Sequence, residues 1–174
     1  MLITTNYKQV LQETHQKYKW WGHGVSIRKW AAIKQYIEEL DNVKTILDYG
    51  CGNSNFKEFV EKDNPYTVYE YDPGIIGKDK KPEQADYVVC TDVLEHVEEE
   101  CIEHVINHIV NLSKLGAFIT ISLTESRNTL SDGRNMHLLI KDHYWWIKHF
   151  LRRRTRVEIY SLSEKGLGLS IKIK

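Results

Sequence analysis

Short apolar runs alternate along this chain with segments in which apolar residues recur every three or four positions. The apolar runs predict four buried strands, at 43–49, 66–71, 85–90 and 117–123. The segments with helical spacing predict four helices, at 7–19, 26–40, 56–62 and 97–112, with Ser26 as the cap of the second. Because strands that alternate with helices are typical of parallel sheets, the pattern predicts a parallel sheet with crossover helices.

The last part of the chain has a different pattern. Apolar and polar residues alternate at 157–159 and again at 167–173, with the turn sequence SEKG between them at 163–166. Alternation at period two on both sides of a short turn indicates an antiparallel hairpin. The predicted fold class is therefore α/β, with a mostly parallel sheet, helices on both faces and an antiparallel C-terminal hairpin.

Composition limits the class of protein further. The chain has 174 residues, the size of one domain, and its 41% hydrophobic and 28% charged residues exclude disordered and collagen-like classes. Equal numbers of basic and acidic residues, 24 of each, argue against a protein that coats DNA without specificity. Three cysteines without paired spacing favour a reducing compartment, and no apolar run approaches the roughly 20 residues of a membrane span. We therefore expect a cytoplasmic protein without a membrane partner.

The first predicted strand leads into a loop with two glycines, in the sequence ILDYGCGNSNF at 46–56. Glycines in a turn between a strand and a helix let the backbone pass close to a ligand. Dinucleotide-binding loops have a third glycine where this chain has Asn55, and the carboxylate of Asp48 would repel a pyrophosphate. Asp48 suits a ligand that carries an ammonium or a sulfonium group, which points to S-adenosylmethionine.

The loop resembles the first motif of the class I S-adenosylmethionine-dependent methyltransferases, with Ser54 where glycine is usual. Two further segments strengthen the resemblance. Asp72 follows Asp48 by 24 residues, at the position of the family's ribose-binding carboxylate, and Glu70 is the second choice for that role. The sequence VVCTDVLEH at 88–96 matches the end of a later strand in the family. Three motifs in this order make a tight turn without a ligand the weaker interpretation.

The resemblance implies a Rossmann-like fold that is reduced around the third strand, because only residues 73–84 separate the ribose carboxylate from the next predicted strand. It implies S-adenosylmethionine as the cofactor and S-adenosylhomocysteine as the product. It also divides the chain into an N-terminal helical lid, 1–42, and a cofactor-binding core, 43–174. The residues that we assign to the cofactor are Asp48, Tyr49, Gly50, Cys51, Gly52, Phe56, Asp72, Pro73, Thr91 and Asp92.

A long polar segment, 122–138, follows the fourth predicted strand, on the side of the sheet where α/β proteins bind ligands. Its sequence DGRNMH resembles a signature of a small, partly phage-borne branch of these methyltransferases. We predict three catalytic residues: Arg134 to hold an anionic group, His137 to exchange a proton near neutral pH, and His96 as a general base. The alternatives are a solvated turn for the segment and a capping role for His96.

The lid would contribute to binding of the methyl acceptor. Aromatic side chains in the sequence WWGHG would close the pocket and exclude water. We predict that Trp21 and His23 contact the acceptor, together with Asn135 of the long polar segment. The alternative is that the tryptophans of WWGHG fasten the first two helices to the sheet, and for Trp145 and Trp146 such a packing role is the favoured interpretation.

Two other clusters are given a structural interpretation. Cys101, His104 and His108 share one face of a predicted helix, but Cys101 belongs to the apolar stripe of that helix, so no metal site is predicted. The basic run RRRTR at 152–156 is interpreted as a solvated helix end. The alternative for the basic run is a contact with phosphates or with an acidic partner.

Sequence motifs also limit the methyl acceptor. DNA enzymes that methylate amino groups have an Asn/Asp-Pro-Pro-aromatic motif where this chain has TDVL at 91–94. No cysteine follows a proline, as the enzymes that methylate cytosine at C5 require. We predict a small molecule or a peptide side chain as the acceptor, while RNA stays open. Two other functions also stay open, a non-catalytic binding module or partner subunit, and cleavage of S-adenosylmethionine without an acceptor.

Overall fold

A computed structural model describes residues 1–151 and 155–173. The strands in this part of the chain are β1 (Thr45–Tyr49), β2 (Thr67–Tyr71), β3 (Ala85–Thr91), β4 (Ser113–Ser122), β5 (Thr155–Ser163) and β6 (Gly166–Ile173). They form one sheet in the order β2-β1-β3-β4-β6-β5. The first four strands are parallel, and β6 pairs antiparallel with both β4 and β5. The predicted parallel sheet with an antiparallel C-terminal hairpin is confirmed.

Six helices lie along the described residues: α1 (Thr5–Lys17), α2 (Val25–Arg28), α3 (Trp30–Glu38), α4 (Phe56–Asp63), α5 (Ile102–Leu112) and α6 (His143–Leu151). Neighbouring side chains of a strand point to opposite faces of the sheet. On β1, Ile46 packs in one apolar cluster with residues of α3 and α4, and Leu47 packs in the other with residues of α5 and α6. Helices therefore cover both faces, as predicted. No helix within the described residues is long and apolar enough to cross a membrane.

Two helix predictions need correction. The predicted helix at 26–40 is two helices that meet at Lys29, and Ser26 lies inside α2 rather than at its cap. The Ser26 hydroxyl instead hydrogen-bonds that of Thr91 at 2.7 Å. The predicted helix at 97–112 becomes α-helical only from Ile102, and the 3-10 turn Glu99–Cys101 lies directly before it. Apolar spacing of three to four residues does not distinguish a 3-10 turn from an α-helix.

The sheet is reduced between β2 and β3. The structure describes the whole segment 73–84, and it contains neither a helix nor a strand. Residues Tyr49 and Tyr71 pair at the ends of β1 and β2. The loops that follow these strands therefore begin side by side at one edge of the sheet.

Asp86 fastens the start of β1 to β3. Its Oδ2 accepts hydrogen bonds from the backbone N–H of Lys44 at 3.0 Å, and from the backbone N–H and hydroxyl of Thr45 at 2.9 and 2.8 Å. Burial alone would raise the pKa of Asp86, but these donors together hold it below its usual value.

Asp86→Asn is expected to lower the free energy of unfolding by about 1–3 kcal/mol at pH 7, because an amide replaces a charged acceptor. The pKa of Asp86 is lower in the folded state, so its contribution is present above the unfolded pKa of about 3.9 and is lost as the pH falls through the folded pKa. Urea unfolding at pH 7 and pH 3 measures the difference. The exposed Asp41→Asn is the control, and an equal effect of both variants at pH 7 would contradict the prediction.

Candidate active site

A cavity of about 240 Å³ lies where β1, β2 and β3 end. Its other wall is formed by residues of α1 and of the segment that follows this helix, including Tyr7, Leu11 and Trp21. Ligands of open α/β sheets bind at the carboxyl ends of the strands, so the cavity occupies the expected position for a ligand. Eight of the predicted cofactor residues line it: Tyr49, Gly50, Cys51, Gly52, Asp72, Pro73, Thr91 and Asp92.

The two glycines of the loop after β1 have positive φ angles, +72° at Gly50 and +56° at Gly52. A Cβ on Gly50 would lie 2.5 Å from Cγ1 of Val93, and a Cβ on Gly52 would lie 2.8 Å from the backbone oxygen of Trp21. The same Trp21 oxygen accepts a hydrogen bond from Asn53 N at 2.9 Å. Both glycines line the cavity, and each also lies in close approach to another part of the protein. The predicted close approach to a ligand stays a prediction.

Ser54, which stands where the family has glycine, does not need a left-handed backbone. Among the described residues other than glycine, only Asn42 and Asp92 have positive φ. The Ser54 hydroxyl accepts a hydrogen bond from Phe56 N at 3.0 Å at the start of α4. Phe56 itself is fully buried in the apolar cluster with α3 and does not line the cavity, so the structure does not support its predicted contact with the cofactor.

Asp48 lies beneath the loop, 2% exposed and outside the lining of the cavity. Its Oδ2 has no hydrogen-bond partner among the described residues. Burial raises the pKa of Asp48 to about 7, with a further contribution from Glu70, while Ser54 and Lys78 oppose the rise. Asp48 is therefore a carboxyl group whose charge is costly unless a cation is near it.

Asp72 is the carboxylate at the end of β2 that faces the cavity. Its Oδ2 accepts a hydrogen bond from Gly52 N, and its Oδ1 accepts one from Gly74 N, each at 2.8 Å. Glu70, the second choice from the sequence, instead pairs with Lys78 at 2.9 Å and does not line the cavity. The geometry thus favours Asp72 over Glu70, and it places Asp72 against the glycine loop.

Asp92 combines a positive φ of +54° with a carboxylate held by two donors. Its Oδ1 accepts from the Thr120 hydroxyl at 2.6 Å, and its Oδ2 accepts from Lys29 Nζ at 2.9 Å. A left-handed backbone is uncommon for residues other than glycine and occurs disproportionately at functional sites. Asp92, which has this conformation, lies directly after β3 and lines the cavity.

The structure brings together the two predicted catalytic histidines, which are far apart in the sequence. The ring centroids of His96 and His137 are 4.9 Å apart, and both residues line the cavity. Nδ1 of His96 lies 2.7 Å from the Met136 carbonyl, and Nδ1 of His137 faces the Thr124 carbonyl. Burial, reinforced by His137, lowers the pKa of His96 to about 4, so this imidazole is neutral at physiological pH.

Arg134 and Asn135 do not line the cavity. Arg134 is exposed and paired with Asp132, with 2.7 Å between its Nε and the carboxylate, so its predicted role in holding an anionic substrate is not supported by its position. The Asn135 side chain accepts hydrogen bonds from Ser126 N at 3.0 Å and His137 N at 2.9 Å. Asn135 therefore shapes the loop that carries His137.

Of the two lid residues predicted to bind the acceptor, one lines the cavity and the other does not. Trp21 lines the cavity, stacks on the His15 ring at 4.4 Å and meets the His96 ring edge-on at 5.1 Å. His23 is exposed and lies outside the lining of the cavity. The WWGHG segment therefore both covers the site and packs on the glycine loop. Trp146 is fully buried among the core residues, as its packing interpretation predicted.

Sequence reasoning missed two residues of the site. His15, on α1, places Nε2 3.7 Å from Asp72 Oδ1. The predicted lid includes α1, but nothing in the sequence shows which of its side chains meets Asp72. Glu95 is fully buried, and its Oε1 accepts a hydrogen bond from Ser122 N at 2.9 Å. Burial, reinforced by Asp92, raises the pKa of Glu95 to about 8. The sequence did contain a signal for Glu95 as a site residue, because Glu95 is part of the VVCTDVLEH motif.

The other two clusters from the sequence are the Cys101–His104–His108 group and the basic run at 152–156. His104 is exposed, Cys101 is buried before α5 begins, and the Tyr49 hydroxyl lies 3.0 Å from His108 Nδ1. In the basic run, residues 152–154 lie outside the described part of the chain. Arg156 belongs to β5 rather than to a helix end, and it pairs with Glu158 at 3.3 Å.

Comparison with known proteins agrees with the geometry of the site. Residues 21–164 match the family model described as a methyltransferase domain. A comparison with curated protein sequences finds no match.

Solved structures with the same fold include the 1,6-didemethyltoxoflavin N1-methyltransferase of Burkholderia thailandensis, at 14% identity and a TM-score of 0.67, covering 97% of this chain and 89% of that one. The magnesium protoporphyrin IX methyltransferase of Synechocystis PCC 6803 has 14% identity and a TM-score of 0.59, covering 99% and 89%. The methyltransferase domain of bacterial CtHen1-CN has 12% identity and a TM-score of 0.61, covering 87% and 98%. Because the family model matches most of its length, this chain belongs to the methyltransferase domain family.

Proposed function

We propose that this protein uses S-adenosylmethionine as its methyl donor, releases S-adenosylhomocysteine, and methylates a small molecule or a peptide side chain. The observation that carries the proposal is the convergence of the glycine loop, Asp72 and the His96–His137 pair on one cavity. The Burkholderia structure was solved with its small-molecule acceptor and S-adenosylhomocysteine, and the Synechocystis structure with S-adenosylhomocysteine. These relatives favour a small-molecule acceptor for this chain.

The residues around the cavity suit this donor. The Asp72 carboxylate faces the cavity, where a carboxylate accepts hydrogen bonds from ribose hydroxyls. Asp48 lies beneath the glycine loop and adds negative potential that favours an ammonium or a sulfonium group. The segment 73–84 contributes only Pro73 to the lining of the cavity, so the adenine would meet the backbone and apolar groups there rather than an acidic side chain of that segment.

The acceptor would lie beside the histidines. Bound S-adenosylmethionine supplies an electrophilic methyl group, and the protein's main task is to place the acceptor in line with it. His96 is neutral, and a neutral imidazole within reach of the acceptor can take its proton. His137 lines the same part of the cavity, so either ring is placed to orient the acceptor.

Residues 1–42 act as the lid in this proposal. Tyr7, His15 and Trp21 line the cavity on the side opposite the strand ends, and they shield it from solvent. The three cysteines are buried and unpaired, which suits a reducing compartment, and a cytoplasmic location is part of the proposal.

Thermal unfolding tests the proposed donor. S-adenosylhomocysteine or S-adenosylmethionine at 100 times its dissociation constant is expected to stabilise the protein by about 2.7 kcal/mol, a rise of roughly 5–10 °C for a domain of this size. NAD is expected to give no rise. Asp72→Asn is expected to lose most of the shift and Glu70→Gln to keep it. Absence of a shift with both S-adenosyl compounds, or an equal shift with NAD, would refute the proposal.

A further inference from the structure

Three potential metal ligands meet beside the cavity. Glu95, His96 and His137 each offer one ligand atom, and these atoms lie within 4.8 Å of one another. No metal site was predicted here from the sequence, where only Cys101, His104 and His108 were considered as ligands. His137 is distant from the other two residues in the sequence, and its approach depends on the path of the loop after β4. His96 and His137 line the cavity, while Glu95 is fully buried behind them.

Each histidine has one nitrogen fixed by the backbone and one left for a ligand. A carbonyl oxygen can only accept a hydrogen bond, so Nδ1 of His96 donates to Met136 O, and Nδ1 of His137 donates to Thr124 O. The lone pair of each ring is then on Nε2. Histidines that bind metals commonly donate their other N–H to a carbonyl, which fixes the tautomer and the orientation of the ring.

Glu95 supplies a second, independent observation. Its Oε1 accepts from Ser122 N, but its Oε2 is buried and has no hydrogen-bond partner among the described residues. Buried polar atoms are rarely left unpaired, and an unpaired carboxylate oxygen is costly. The nearby carboxylate of Asp92 accepts from Lys29 and from Thr120, and neither of these donors is a partner of Oε2. A cation shared with the two imidazoles would satisfy it.

We propose that Glu95, His96 and His137 bind one divalent transition-metal ion, whose open coordination positions face the cavity. Two imidazoles and one carboxylate suit Zn²⁺ or Mn²⁺, and three protein ligands leave room for another oxygen ligand. The existence of the site does not depend on the proposed function, but its role in catalysis does.

In catalysis the ion would select an acceptor that carries a hydroxyl group. A bound metal lowers the pKa of a coordinated hydroxyl, whose proton then leaves to solvent. The oxygen lone pair forms the new O–CH₃ bond as the C–S bond of S-adenosylmethionine breaks, and the electrons of that bond stay on sulfur to give S-adenosylhomocysteine. In this form of the site the imidazoles hold the metal, and metal coordination replaces an imidazole as the means of removing the proton.

Isothermal titration calorimetry of the full chain without a histidine tag, with ZnCl₂ and then MnCl₂, tests the site directly. We expect one ion per chain for at least one of the two metals. Glu95→Gln keeps an oxygen to accept from Ser122 N but removes the charge, and it is expected to weaken binding by about 100-fold or more. His137→Ala is expected to do the same. His104→Ala and His23→Ala remove exposed histidines outside the cluster and are expected to change nothing.

The possible outcomes distinguish failure of the proposed metal site from failure of the proposed methyl donor. Glu95→Gln and His137→Ala should keep the thermal shift with S-adenosylhomocysteine, which shows that they fold. Wild-type binding that is no tighter than that of both cluster variants, or equal losses in the two control variants, would overturn the metal site and leave the proposed function intact. Tight binding of one ion without any shift by the S-adenosyl compounds would instead refute the proposed function and keep the site.

Discussion

Gly50→Ala is expected to lower the free energy of unfolding by about 2–5 kcal/mol. A left-handed backbone costs a residue with a Cβ about 1–2 kcal/mol, and Gly50 has a φ of +72°. Overpacking of a filled site adds about 1–3 kcal/mol, and the new Cβ would lie 2.5 Å from Cγ1 and 2.6 Å from Cγ2 of Val93. Urea unfolding of the wild type and the variant at pH 7 measures the loss.

Two further variants separate the backbone cost from the contact with Val93. Gly133 also has a positive φ, +89°, and its Cβ would meet no described atom within 4 Å, so Gly133→Ala should show the backbone cost alone. Val93→Ala removes both methyl groups, the two nearest atoms, and keeps its own Cβ at 3.1 Å from the new one. The double variant Gly50→Ala with Val93→Ala is therefore expected to recover about 1–3 kcal/mol relative to the sum of the single losses. Equal losses for Gly50→Ala and Gly133→Ala would contradict the packing argument.

The sheet could be predicted from the sequence because its signals are local. The parallel strands β1 and β3 are buried on both faces and form short apolar runs, whereas the edge strand β2 is only partly buried. The hairpin alternates at period two. The glycine loop at one wall of the cavity was also predictable, since its glycines follow a strand at a fixed spacing. Phe56 and Asp48 were exceptions and lie outside the lining of the cavity, because a motif position does not show on which side of the loop a side chain packs.

The acceptor side of the site was less predictable because it depends on contacts between distant parts of the chain. The 3-10 turn at Leu94–His96 and the path of the loop after β4 together bring His137 to His96. Arg134 and Asn135 lie in the same loop, but their side chains bind Asp132 and backbone groups of the loop. Nothing in the local sequence distinguishes a loop residue that faces the cavity from one that holds the loop together.

Asp48→Asn is expected to stabilise the protein without ligand by on the order of 3–4 kcal/mol at pH 8 and to have little effect at pH 4. The pKa of Asp48 is about 7 in the folded state and about 3.9 in the unfolded state, so the folded state binds more protons between these values. The stability of the wild type therefore falls as the pH rises from 4 to 7, and each pKa unit corresponds to about 1.4 kcal/mol. Asparagine does not ionise, so the variant escapes this loss.

Urea unfolding at pH 4, 6 and 8 measures the effect, with Asp41→Asn as an exposed control that should follow the wild type at every pH. A constant difference between Asp48→Asn and the wild type across this range would show that Asp48 does not titrate as described.

The Asp48 carboxylate should lower the free energy of unfolding of the free protein and strengthen binding of S-adenosylmethionine. Its negative charge is unfavourable in the free protein but becomes favourable beside a cation. Only S-adenosylmethionine carries the sulfonium, whereas the amino group is common to it and S-adenosylhomocysteine. Asp48→Asn is therefore expected to weaken binding of S-adenosylmethionine more than binding of S-adenosylhomocysteine, as measured by calorimetry at pH 8. Equal weakening of both would mean that Asp48 acts on the amino group or on the shape of the loop, and not on the sulfonium.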